Sequence, residues 1–102
     1  MSYTMNRRDD NEAALVRLWK QLGCIWIEQP RENGFDGLLL RNGEMWIVEI
    51  KDGRKPPSKR KLTPNEIKRM AELEAIGVAY NVVEDEEQGM ALIGLLLRGA
   101  YK

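Results

Sequence analysis

The chain contains no histidine, and its one cysteine is Cys24. Without histidine there are no His-based triads, no imidazole general bases and no His–metal sites. One cysteine forms neither an intramolecular disulfide nor a Cys-cluster zinc site, and it fits a reducing compartment. Charge of one sign is not in excess: Lys+Arg and Asp+Glu both count 16. There is no global basic field, so any nucleic-acid contact must come from a local patch. No glycine-rich phosphate loop of the Walker or dinucleotide type is present. The longest apolar run, near Ala91 to Leu97, is far short of the roughly 20 residues a membrane span needs. Met1 to Arg8 is polar and has no leader pattern. The expectation is a cytoplasmic chain with no membrane partner.

What remains for chemistry is carboxylates and lysines, which suit hard, oxygen-loving cations such as Mg2+ or Mn2+. The 102 residues are read as a single domain over 1–102, with 1–8 as a loose N-terminal tail. A chain of this size buries roughly 60–68% of its unfolded surface, so its core is modest and dimerisation would help.

The organising stretch runs from Phe35 to Lys51. Two apolar runs, Leu38-Leu39-Leu40 and Met45-Trp46-Ile47-Val48, flank Asn42-Gly43. Asn-Gly at this place predicts a two-residue type I′ hairpin, because that turn needs φ > 0 at both central residues. Counting outward sets Arg41 opposite Glu44, Leu39 opposite Trp46, Gly37 opposite Val48 and Asp36 opposite Glu49. Lys51 shares the face of Glu49 by the strand period of two. Two carboxylates and an ammonium then converge at one end of the hairpin. Like charges directly opposite destabilise a sheet, and a divalent cation would relieve them. A solvated strand end is the plain alternative, and a bulge shifting the register by one would rotate Asp36 away.

Before the hairpin, Ala13 to Leu22 predicts an amphipathic helix ending at Gly23. Glu12 shares the face of Leu15, Val16 and Trp19, so it can point inward. Asp9-x-x-Glu12 also makes a possible capping box, and the two readings stay open. Cys24 to Glu28 predicts a strand and Gln29 to Gly34 a turn. After the hairpin, Asp52 to Leu62 predicts a basic loop carrying Arg54, Lys55, Lys59, Arg60 and Lys61. It is either a solvated loop or, being next to the acids, a phosphate-steering patch. Thr63-Pro64-Asn65-Glu66 predicts a helix with a capping box and Pro at its first position, stopped by Gly77. Val78 to Val83 predicts a strand, Glu84 to Gln88 an acidic turn, and Met90 to Arg98 an apolar segment favoured as a helix. The fold class is therefore α/β, a mixed β-sheet flanked by helices in the order α-β-β-β-α-β-α.

Asp36 followed by Glu49-Ile50-Lys51 resembles the Asp…Glu-x-Lys signature of the PD-(D/E)xK nuclease superfamily. The wider pattern is similar to its virus-type replication-repair nuclease (VRR-NUC) domain. That pattern includes an acid on helix 1 (Glu12), Gly34-Phe35-Asp36-Gly37, the basic loop and Leu62-Thr63-Pro64, over roughly Asn11 to Val83. The residue before Asp36 is Phe35, not the proline that names the superfamily. Many members carry Gln near position 66, where this chain has Glu66, which leaves open whether Glu66 serves the site or the cap.

The resemblance implies a restriction-endonuclease-like fold and a Mg2+- or Mn2+-dependent endonuclease acting on branched or flapped DNA. Small stand-alone members, as in phages, resemble homodimeric Holliday-junction resolvases of DNA repair, so the host cytoplasm is the implied location. Asp36, Glu49, the Ile50 carbonyl and Glu12 would hold the metal, and Lys51 would act on the attacking water or the developing charge. The basic-loop cations would bind DNA. Two other classes compete: a non-catalytic nucleic-acid-binding module that keeps the fold, and an interaction domain whose C-terminal apolar segment is the interface.

Overall fold

A computed structural model describes residues 9–95 of the chain. The polar tail 1–8 and the last part of the C-terminal apolar segment lie outside the described residues. Three α-helices and four strands follow one another as α1 (Glu12–Gln21), β1 (Ile25–Glu28), β2 (Gly37–Arg41), β3 (Glu44–Ile50), α2 (Pro64–Ala75), β4 (Tyr80–Val83) and α3 (Glu86–Leu92). Single 3-10 turns at Arg31–Asn33 and Pro57–Lys59 interrupt the loops.

The sheet has the order β1-β2-β3-β4. The first two pairings are antiparallel, and β3 pairs with β4 in parallel. This mixture follows from connection length: two residues suffice for a hairpin, whereas parallel neighbours need a crossover, supplied here by α2. Asn42 and Gly43 adopt φ of 51° and 82°, as a type I′ turn demands. The resulting register, Arg41 with Glu44 through Gly37 with Val48, is the one counted from the sequence.

The ladder departs from that count at its open end. The Asp36 N–H donates to the Val48 carbonyl, although Val48 already faces Gly37. Two residues of one strand thus oppose one of the other, the arrangement of a bulge. Asp36 is not directly opposite Glu49. Its side chain instead takes the place of a backbone partner, with Oδ2 accepting from the Ile50 N–H at 2.7 Å.

The two faces of the sheet differ. Leu39, Val48, Ile50 and Val83 point to the side covered by α1 and α3, where they meet Leu15, Trp19 and Ile93 in a single core. Trp19 is fully buried; its indole N–H donates to the Gly89 carbonyl at 3.1 Å, and its ring stacks on Trp26 with centroids 5.4 Å apart. A methyl group at Gly89 would come within 3.0 Å of Leu15 and 3.2 Å of Trp19, so only glycine lets α3 settle this closely on α1. Each aliphatic side chain so buried stabilises the fold by roughly 1.5–3 kcal/mol. On the opposite face Ile25, Ile27, Met45 and Val82 remain exposed. Helix α2 covers only the Tyr80 and Glu49 end of that face.

One reading left open by the sequence closes, and one boundary differs from expectation. The N-cap of α1 is Asn11, and no side-chain cap bond forms, so the Asp9-x-x-Glu12 capping box is absent. The Asn11 amide is drawn elsewhere, donating to the carbonyls of Lys51 and Glu84, both at 3.1 Å. Helix α3 begins at Glu86, inside the stretch read as an acidic turn, because the Asp85 side chain caps it by accepting from the Gln88 N–H. Helix α2 does carry the expected box: Thr63 accepts from the Glu66 N–H, and Glu66 accepts from the Thr63 N–H.

Candidate active site

The bulge, the carboxyl end of β3 and the first turn of α2 enclose a cleft of about 420 Å³ whose lining includes Asp36, Glu49, Lys51, Glu66, Arg31 and Asn65. Glu49 reaches it from the face of β3 opposite the core and is 3% exposed. Lys51, also buried, stands between two acids, with Nζ 3.4 Å from Glu49 Oε2 and 3.0 Å from Glu66 Oε1. Glu66 therefore does two jobs with one oxygen, since Oε1 also accepts from the Thr63 N–H at 2.8 Å.

Burial, the Asp36 charge and the Glu66 carboxylate push Glu49 up to about 9. The raised value favours a protonated Glu49 carboxyl bonded to Glu66. Burial also pushes Glu66 upward, but the Thr63 N–H, Glu49 and Lys51 outweigh it and hold Glu66 below its usual range. Burial opposes the Lys51 ammonium as well, yet its bond to Glu66 and the charges of Glu49 and Glu66 leave its pKa raised. The cleft thus sets three carboxyl groups around one ammonium, and their crowding favours the protonated form of Glu49.

Asp36, Glu49 and Lys51 thus line one cleft. Ile50 lies between Glu49 and Lys51 in the chain, with its side chain in the core and its N–H on Asp36. Glu12 is placed differently. It is buried at the start of α1 and borders a larger neighbouring depression of about 880 Å³ over Val16 and Trp26. The two depressions share Asp9, but Glu12 is not in the lining of the smaller one.

None of the basic-loop cations lines the cleft, and three of them are already paired. Arg54 grips Asp52 through two bonds of 2.9 and 2.7 Å. Lys55 lies 3.6 Å from Asp9. Arg60 is 3.2 Å from Glu84 and donates to the Lys55 carbonyl at 2.7 Å. Among the described residues, Lys59 and Lys61 are the loop cations outside an ion pair. The cations that do line the cleft are Lys51 and Arg31. Arg31 sits in a stretch that reads only as a turn, and no sequence signal marked it.

The donor set fits a hard divalent cation. All its atoms are oxygens, and excess negative charge is packed into a half-enclosed space. Among the described residues no three acidic, cysteine or histidine side chains form a ready-made metal cluster. Asp36 and Glu49 with the Ile50 carbonyl would hold such an ion, which suits Mg2+ because it binds through one or two carboxylates and keeps several waters. No helix among the described residues is long and apolar enough to cross a membrane. Comparison with family models, curated proteins and solved structures gave no match.

Proposed function

We propose that the chain is a metal-dependent, structure-selective DNA endonuclease of the VRR-NUC type, with a restriction-endonuclease-like fold. The observation that carries this reading is the meeting of Asp36, Glu49 and Lys51 in one cleft at the end of β3. A bound Mg2+ or Mn2+ would supply Lewis acidity to a phosphoryl oxygen and a lowered pKa to its water. The chain's own residues do the rest. Asp36 and Glu49 supply carboxylate oxygens, once the Glu49 proton has left. Lys51, held at 3.0 Å by Glu66, presents a fixed positive charge for the pentavalent phosphate. Arg31 at the cleft and, from the loop, Lys59 and Lys61 would meet the DNA backbone. Glu12 would act from the neighbouring depression, through water.

The bare sheet face carrying Ile25, Ile27 and Met45 offers a surface for a homodimer, as a junction-cutting enzyme would use. The decisive assay is cleavage of four-way and flapped DNA with Mg2+ or Mn2+. Lys51→Ala and Asp36→Ala should each cut at least about 100-fold more slowly than wild type. Equal rates would sink the assignment.

The carboxylates of Asp36 and Glu49 gathered in one cleft argue against the non-catalytic DNA-binding module, since a mere binder would be better off without that repulsion. Salt-sensitive DNA binding with no cleavage under either cation would reverse that preference.

A further inference from the structure

The segment that delivers Asp36 is held in an unusual way. Four consecutive backbone carbonyls, those of Arg31, Glu32, Asn33 and Gly34, all accept from side chains of α2 and β4. Asn65 Nδ2 serves the first two at 3.4 and 3.2 Å. Arg69 Nε serves Asn33 at 2.7 Å, and its Nη1 is itself oriented by Glu72 at 2.9 Å. The Tyr80 hydroxyl, buried in the sheet, serves Gly34. The segment also lies close against α2. A methyl group at Gly34, whose φ is 81°, would fall 2.7 Å from the Arg69 Cβ and 3.1 Å from the Asn65 carbonyl oxygen. Only glycine permits that approach.

Two residues beyond this row stands Asp36, whose own carboxylate holds the Ile50 N–H. The same helix, through Glu66, holds Lys51. Helix α2 therefore fixes both arms of the cleft against β3 without contributing to the sheet. We infer that Tyr80, Arg69 and Asn65 are positioning residues: they lock the 31–34 segment so that the Asp36 carboxylate stays on Ile50 and beside Glu49. The role rests on the nuclease reading only for its purpose; the clamp itself is a matter of geometry. Tyr80 is well suited to it. Burial and the charges of Glu49, Glu66 and Asp36 all push its hydroxyl upward, which keeps it a donor to Gly34.

Amide hydrogen exchange on the metal-free chain tests this without any reference to cleavage. The Ile50 N–H reports the Asp36 carboxylate, and the Lys51 N–H next to it, bonded to the Val83 carbonyl, reports the sheet. Tyr80→Phe should speed exchange at Ile50 by roughly 3- to 10-fold, the worth of one hydrogen bond, and leave Lys51 within about 2-fold. Arg69→Ala, at a half-buried position, should act in the same direction and decides the matter if Tyr80→Phe folds poorly. Unchanged Ile50 exchange in both variants overturns the inference, and so does an equal rise at Ile50 and Lys51.

In cleavage, Tyr80→Phe should raise the Mn2+ concentration needed for half-maximal rate, with kcat recovering at saturating Mn2+. In an Asp36→Asn background the same change should add nothing, whereas a further loss there overturns the positioning role. A wild-type chain that cuts no DNA removes the nuclease reading and leaves the Ile50 exchange result standing.

Discussion

One sheet serves two environments. Toward α1 and α3 it presents Leu39, Val48, Ile50 and Val83, all at 2% exposure or less, against two tryptophans and a close-packed glycine. Toward α2 it presents Glu49 and Tyr80 at one end and bare Ile25, Ile27 and Met45 at the other. The first side follows the rule that burial of apolar area drives folding. The second breaks it locally, since three acids and a lysine are packed where apolar side chains would be more stable. Strand β3 joins the two, alternating Val48 and Ile50 inward with Glu49 outward. The stability of the molecule should therefore reside mainly on the first side, and the polar end of the second should cost stability.

The largest test of that division is Trp19→Ala, which should lower unfolding free energy by about 3–5 kcal/mol in urea titrations. A loss below about 1 kcal/mol would mean the α1 side is not the anchor. Glu49→Gln should shift stability in the opposite direction. The folded pKa of Glu49, about 9, lies above its ordinary 4.5. Its contribution is then fully present below pH 4.5 and is lost as pH rises through about 9. Melting of the metal-free chain should fall over that window, and the glutamine variant, which keeps a donor toward Glu66, should flatten the fall. A wild-type profile flat from pH 5 to 9 would contradict the strained-cleft account.

A smaller effect separates the loop cations. Replacing Lys59 and Lys61 by alanine should reduce the salt slope of DNA binding by about one per residue, while Arg54→Ala should leave it nearly unchanged. The reverse ranking would show that the Asp52–Arg54 pair opens on DNA. The smallest is local. Asp52 titrates at about 2, held down by its hydrogen bonds from Arg54. What this pair contributes is present above pH 3.8 and is lost as pH falls through about 2. In Arg54→Ala the Asp52 carboxyl resonance should titrate higher, toward its ordinary value.

The hairpin and helix α2 were the most legible parts of the chain. Asn42-Gly43 dictates its turn through backbone sterics alone, and Thr63-Pro64-Asn65-Glu66 dictates its cap through bonds within four residues. The register from Arg41 to Gly37 could be counted from that turn, but the bulge that brings Asp36 to the cleft beside Glu49 could not. It depends on a side chain outcompeting a backbone carbonyl for Ile50. The same holds for Asn11, pulled from its capping role by carbonyls 40 and 73 residues away. The pairing of Arg60 with Glu84 spans 24 residues, which is why a loop that reads as a basic patch is largely neutralised. Glu66 was visible as a cap; its second partner, Lys51, appears only once α2 has crossed the sheet. Tyr80 and Arg69 gave no sequence signal, because their partners are main-chain carbonyls that any residue supplies.

The Asn42-Gly43 turn has a practical consequence. Gly43 sits six residues from Glu49 along β3, about 20 Å at strand rise, and both turn residues are exposed. The chain's lone thiol, Cys24, is buried. A Glu44→Cys protein would consequently carry one accessible attachment point, at the opposite end of β3 from Glu49. A fluorophore or a surface tether coupled there would leave the cleft unobstructed and report single binding encounters one molecule at a time.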